Sequence, residues 1–117
     1  MRPFLPSLLI ALLLGCGSDS KPPPAPAGVS LYKSAGSVQC TGGGVSVQEI
    51  ERQLAGAGIK VLSSTCGSDG KMYPSMCGSP DGRIGIVEVP DSQVQAAARM
   101  GFAPLSDLPD ATKVPCQ

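Results

Sequence analysis

From Val29 onward, apolar and polar positions follow two rhythms. Val29-Ser30-Leu31-Tyr32-Lys33 alternates with period two and predicts a strand. In SVQEIERQLAGAG the apolar residues Val47, Ile50 and Leu54 fall on one face of a helix. Ser46 is placed to cap that helix, Glu49 three residues later completes a capping box, and Gly56 and Gly58 end it. Ile59 to Thr65 is rich in β-branched residues and predicts a second strand. Arg83 to Val89 is apolar on both faces for most of its length, as in an interior strand, and Pro90 ends it. Asp91 is placed to cap a second helix with a narrow stripe of Val94, Ala97 and Ala98, closed by Gly101. Phe102 and Leu105 are expected to pack back onto the core, ahead of a turn-rich tail, 106–117, held by Cys116.

Between the second strand and the interior one lies an internal echo. CGSDGK at 66–71 returns as CGSPDGR at 77–83, each with an Asp-Gly step followed by a basic residue. Asp-Gly between strand-like runs is hairpin chemistry, since glycine reaches positive φ without a Cβ clash. Two such turns predict a three-stranded meander over 59–66, 72–77 and 83–89. Pro74 is awkward in the middle strand, because proline belongs at edges and bulges. The expected order is β-α-β-β-β-α: a small single α+β domain over 29–117, with helices on one face of a short sheet.

The first 28 residues follow neither rhythm. Arg2 precedes an apolar run from Leu8 to Leu14, shorter than the ~20 residues a spanning helix needs, and small residues follow it. This is the layout of a secretory signal. Leu13-Leu14-Gly15-Cys16 resembles the lipobox of bacterial lipoproteins. The resemblance implies cleavage after residue 15, a diacylglycerol thioether on Cys16 and acylation of the new N-terminus. Several acyl chains, at ~0.8 kcal/mol per buried CH₂, hold a membrane far more firmly than one. Gly17 stands where an inner-membrane retention signal would have Asp, which points to the periplasmic face of the outer membrane. Residues 17–28, with Pro22, Pro23, Pro24 and Pro26, read as a polyproline II tether reaching roughly 30–40 Å at ~3.1 Å per residue.

Charge and composition narrow the function classes. The nine basic residues become eight once Arg2 leaves with the signal, against nine acidic ones, and no basic stripe marks a nucleic-acid surface. Histidine and tryptophan are absent. A domain this short, with few aromatics, needs a covalent staple. Four cysteines remain beside Cys16: Cys40, Cys66, Cys77 and Cys116. An even count in a small exported domain reads as two disulfides. Metal binding is disfavoured, because there is no CxxC and no histidine, and the intervals of 25, 10 and 38 residues match no common zinc module.

Two pairings follow from the residues. If the turn after Cys66 closes a tight hairpin, Cys77 lies roughly 17 Å from Cys66 at ~3.4 Å per residue. That is beyond the ~7 Å a disulfide tolerates. Strands one and two, joined by a helix, would run parallel and leave Cys40 beside Cys66, with Cys77 near the tail. The preferred pairing is therefore Cys40–Cys66 with Cys77–Cys116. If 67–76 is an open loop, Cys66–Cys77 with Cys40–Cys116 becomes natural. A third pairing comes from a likeness. CGSDGKMYPSMC (66–77) resembles the Kazal-type protease-inhibitor signature at Cys66, Gly67, Asp69, Gly70, Tyr73 and Cys77. The resemblance implies that Cys66 pairs with the last cysteine, Cys116, and Cys77 with the upstream Cys40. It also implies a reactive loop just before the signature. Kazal domains use six cysteines in about half this length, and here the interval from Cys40 holds the capped helix.

No residue pattern points to catalysis. Without histidine or a free thiol, the candidates reduce to Glu88 as a buried general acid, and a solvated strand face explains Glu88 as well. Asp69 and Asp81 lack calcium-loop spacing, and Gly42-Gly43-Gly44 lacks the Gly-Lys-Ser/Thr of a phosphate loop. No catalytic, metal or cofactor site is expected. The expected role is that of a membrane-anchored cell-envelope lipoprotein acting structurally or through a protein partner. A Kazal-like inhibitor and a ligand- or peptide-binding module, using an exposed edge at 29–33 for strand addition, are the alternatives.

Overall fold

The computed structural model describes residues 28–116 and the isolated Gly15. Cys16, the tether at 17–27, the leader at 1–14 and Gln117 lie outside the described residues. The fold is α+β. Five strands, β1 (Gly28–Ser34), β2 (Ser63–Ser68), β3 (Arg83–Pro90), β4 (Ala103–Pro104) and β5 (Thr112–Lys113), form one antiparallel sheet in the order β4-β1-β3-β2-β5. Helix α1 (Val47–Gly56) joins β1 to β2, and α2 (Val94–Ala98) follows β3.

The apolar strand takes the centre. Leu31 pairs with Val87, and Val29 with Val89, so these side chains share the face covered by the helices. There they meet Ile50, Leu54, Ile59, Ala97 and Phe102 in the main core. Leu54, Val87 and Val89 are fully buried, and each such burial contributes ~2 kcal/mol. Gly85 lets α1 approach this face, since a Cβ there would lie 2.5 Å from Ile50 Cδ1. On the opposite face Ile84 and Ile86 are covered by Leu108, with Tyr32, Leu105 and Ala111 around them.

Both helices stop by one device. Gly58, at φ +78°, donates to the Ala55 carbonyl (3.0 Å) while Ile59 donates to that of Leu54 (3.0 Å). Gly101, at φ +95°, donates to Ala98 (3.0 Å) while Phe102 donates to Ala97 (3.2 Å). These are Schellman ends, and each drops a buried apolar residue into the core just past the glycine. At the start of α1, Ser46 Oγ accepts from the Glu49 N–H at 3.1 Å, as its capping pattern predicts.

Several expectations need correction. No strand forms at 72–77: residues 69–82 make one long loop, because Pro74 cannot pair and Tyr73 turns inward to Asp69. The second strand starts at Ser63 rather than Ile59, since the Schellman end has already committed Ile59 to the core. Strands β1 and β2 run the same way but do not touch, because β3 lies between them. The edge at 29–33 is partly taken, with β4 pairing Leu31 and Tyr32. Asp91 caps nothing: it opens a 3₁₀ turn (Asp91–Gln93), and Gln93 does the local work instead, donating to the Gly58 carbonyl and accepting from the Lys60 N–H. Ala97 is buried, but Ala98 is exposed.

The preferred disulfide pairing is also overturned. Cys40 bonds Cys77, and Cys66 bonds Cys116, with Cα–Cα distances of 5.1 and 5.2 Å. Because 69–82 is an open loop, Cys77 comes back alongside residues 37–40 instead of lying at the far end of the sheet. Gln39 donates to the Ser79 carbonyl (2.8 Å) and Gly78 to that of Gln39 (3.2 Å), which sets Cys77 beside Cys40. Cys66 lies in β2 opposite Gly85, on the helix-covered face of the sheet, and Val114 donates to its carbonyl (3.0 Å), which draws Cys116 in. The open-loop alternative, Cys66–Cys77, fails for the same reason.

Candidate functional site

One end of the sheet gathers everything the cysteines hold. Strands β1 and β2 finish there, β3 begins there, and the loops 35–46 and 69–82 meet the tail at 114–116. Between them is an open groove of about 1120 Å³, lined by both the Gly42–Gly44 turn and the tail. Arg83 and Asp81 are its charged members, paired at 3.7 Å, so the groove carries no uncompensated charge of its own.

The echo seen in the sequence becomes two facing turns. Asp69 accepts from the Lys71 N–H at 2.8 Å, and Asp81 from the Arg83 N–H at 3.0 Å. The glycine of each pair has positive φ, +73° at Gly70 and +79° at Gly82. Each is an Asx-turn in which the carboxylate replaces a backbone carbonyl. The Asp69 N–H donates to the Gly82 carbonyl at 2.8 Å and joins the two across the end of the β2–β3 ladder. Instead of closing two hairpins, they form the neck of a single loop.

Above this neck the loop is braced from within. Asp69 is 8 % exposed, and the Tyr73 hydroxyl donates to its Oδ2 at 2.6 Å. That hydrogen bond, then burial, then the carboxylate's charge hold the Tyr73 phenol above its ordinary pKa of 10.0. The loop is also tied to its neighbour. Gln39 Nε2 donates to the carbonyls of Pro74 (2.8 Å) and Pro80 (3.2 Å), and the buried Ser37 hydroxyl donates to Asp81 Oδ1 (2.8 Å). The Cys40–Cys77 bond closes the same seam. At the apex of this held segment, Met72 is 98 % exposed, and Met76 further on is 61 % exposed.

Of the residues singled out from the sequence, Cys40, Cys66, Cys77 and Cys116 all come to this end. Asp69 and Asp81 come with them, as turn-makers. Glu88 does not: it sits toward the other end of β3, half-buried, accepting from the Ser63 hydroxyl at 3.2 Å and packed over Gly28. Gly42, Gly43 and Gly44 form a left-handed turn closed by Val38, which exchanges backbone hydrogen bonds with Gly42. Among the described residues, no three Cys, Asp or Glu side chains come together in a way that could hold a metal ion. Sequence reasoning missed Ser37, Gln39 and Met72. The first two are lone polar residues in a Gly/Ser-rich stretch, with no spacing to betray a partner 35–44 residues away. The exposure of Met72 follows only from the loop being open.

No protein-family model matches this chain, and neither does any curated protein or solved structure.

Proposed function

We propose that this protein is a lipid-anchored component of the bacterial cell envelope, probed by its partners through a rigid, disulfide-braced end, and acting by binding rather than by catalysis. The observation that supports the reading is the pair of disulfides converging on one end of the sheet, where they hold two exposed loops and the tail around a groove. Disulfides of this kind persist in oxidising spaces outside the cytoplasm. The Leu-Leu-Gly-Cys sequence at 13–16 gives the route there, with Cys16 as the anchor, and Gly17 favours the outer membrane. Mass spectrometry of the protein from its native host tests this: a mature chain starting at a diacylglyceryl-modified Cys16 is expected. An unmodified Cys16 behind an intact leader would overturn it.

A second reading, a Kazal-like protease inhibitor, is favoured by one specific observation. Cys66 pairs with Cys116 and Cys77 with Cys40, which is the connectivity that the resemblance at 66–77 implies. Loss of all activity against serine proteases at micromolar protein would remove this reading and leave the envelope role untouched.

A further inference from the structure

We infer that Cys40–Cys77 is a thiol–disulfide exchange site for a dithiol protein partner, and that its state sets whether segment 70–78 is held or released. The inference goes beyond the anchored binding role, which holds with or without it.

The two disulfides are unequal. Cys66 belongs to β2, where it is half-buried and paired with Gly85 of the central strand, and the Val114 N–H donates to its carbonyl (3.0 Å). Cys40 and Cys77 both lie in loops, and both are exposed. From Gly70 to Gly78 every residue except Tyr73 is exposed, and Gly78 has no side chain to shield the neighbouring Cys77 sulfur. Exchange rates depend on the access of the attacking thiolate, so Cys40–Cys77 is the faster bond.

Three further features suit this bond to opening and reclosing. Cys40 sits at φ +75°, in the left-handed region that a residue with a Cβ rarely adopts, and among the described residues it is the one non-glycine there. Cleavage removes one of the constraints that keep it so. Neither apolar core has a member from 62 to 83, so the loop can loosen without uncovering core side chains. The seam beside the bond has ties of its own. Gln39 donates to the Ser79 carbonyl (2.8 Å), Asp81 to that of Ser37 (3.3 Å), and the Ser37 hydroxyl to Asp81 Oδ1 (2.8 Å). These keep the two sulfurs close after reduction and favour the native pair on reoxidation. What reduction loosens is 70–78, left with isolated hydrogen bonds such as Tyr73–Asp69 and Gln39–Pro74.

In the exchange step a partner thiolate attacks the Cys77 sulfur, and Cys40 leaves as a thiolate that takes up a proton. The partner's second thiol, deprotonated, then attacks its own sulfur in the mixed disulfide, and Cys77 leaves and is protonated in turn. Two electrons pass to this chain, and the partner is left as a disulfide. An oxidised partner runs the same steps backward.

The test treats the mature full-length chain, in detergent micelles, with reduced thioredoxin, then quenches with iodoacetamide and maps the alkylated cysteines. Cys40 and Cys77 should be alkylated roughly 10-fold faster than Cys66 and Cys116. A thioredoxin variant with serine for its second cysteine should be captured at Cys77. On opening this bond, hydrogen exchange should accelerate in 70–78 and stay unchanged in α1 and β3, and oxidised dithiothreitol should restore the native pairing. Cys40→Ser/Cys77→Ser should show the same exchange pattern without reductant. Equal alkylation of the four cysteines, capture at another cysteine, lost protection in α1 and β3, or reoxidation to other pairs would each overturn the proposal. None of those results bears on Cys16, so the anchored role would still stand.

Discussion

The helix-covered face of the sheet and the cysteine-bearing end are held together by different forces. On the covered face, Leu31, Ile50, Leu54, Val87, Val89 and Phe102 exclude water from one another, and the stabilisation is spread over many non-directional contacts. At the other end, residues 35–46 and 69–82 bury little apolar surface. They are held by individual groups instead: two disulfides, two Asx-turns, the Ser37–Asp81 and Tyr73–Asp69 hydrogen bonds, and Gln39 bridging two carbonyls. A distributed core degrades gradually when one side chain shrinks. A set of discrete ties fails link by link, yet it can hold a loop in the open, with Met72 in solvent, as no hydrophobic core can.

Substitutions can break or sharpen that contrast. The largest effect is expected from Cys66→Ala/Cys116→Ala. The bond spans a separation of 50 residues, and its removal should cost about 4 kcal/mol of unfolding free energy, read from the urea midpoint. Hydrogen exchange on the same variant should accelerate first in 112–116 and 63–68. Uniform acceleration across α1 and β3 would show that the two regions are one cooperative unit. Leu54→Ala should follow, at about 3 kcal/mol, because Leu54 has no exposed surface and its removal leaves a cavity among Ile50, Val87 and Phe102. Gly85→Ala should cost about 2 kcal/mol by driving Ile50 away from the sheet. Its effect should be seen in α1 exchange and not in the 69–82 loop.

Tyr73→Phe should have the smallest effect, about 1 kcal/mol, since the lost hydrogen bond is half-exposed. It carries a pH signature that the core variants lack. The folded protein raises the Tyr73 pKa, so it favours the neutral phenol. The stability this contributes is present below the unfolded value of about 10 and disappears as pH rises through the folded value. As pH rises above about 10, the wild-type urea midpoint should therefore fall toward that of Tyr73→Phe. Parallel pH curves for the two proteins would count against the Asp69–Tyr73 tie as a brace.

The elements most legible in the sequence belong to the covered face. The capping box at Ser46 and Glu49, the stripe of Val47, Ile50 and Leu54, and the glycine stop all correspond to contacts within a few residues along the chain. The two-faced apolar run at Arg83–Val89 was enough to place β3 inside the sheet. The candidate site was legible only in fragments. Its Asp-Gly turns and cysteines stood out, but the same Asp-Gly chemistry that builds a hairpin also builds the neck of a long loop. Which one forms depends on Tyr73 reaching Asp69 and on Gln39 reaching Pro74, contacts with no periodicity. The disulfide pairing followed the same contingency: an open loop returns Cys77 to Cys40, whereas a hairpin would have carried it away.

By itself, then, the sequence determined the α+β class, the extent and ends of α1, the interior position of β3 and the need for two covalent staples in so short a chain. Those properties arise from local periodicity, local capping and the shortage of apolar mass, all of which are written in consecutive residues. Only the tertiary structure decided which sulfurs meet, that 69–82 stays open, and that Met72 projects from a braced loop. Each of these turns on where distant segments come to lie once β3 has separated β1 from β2, and no neighbouring residue along the chain records that placement.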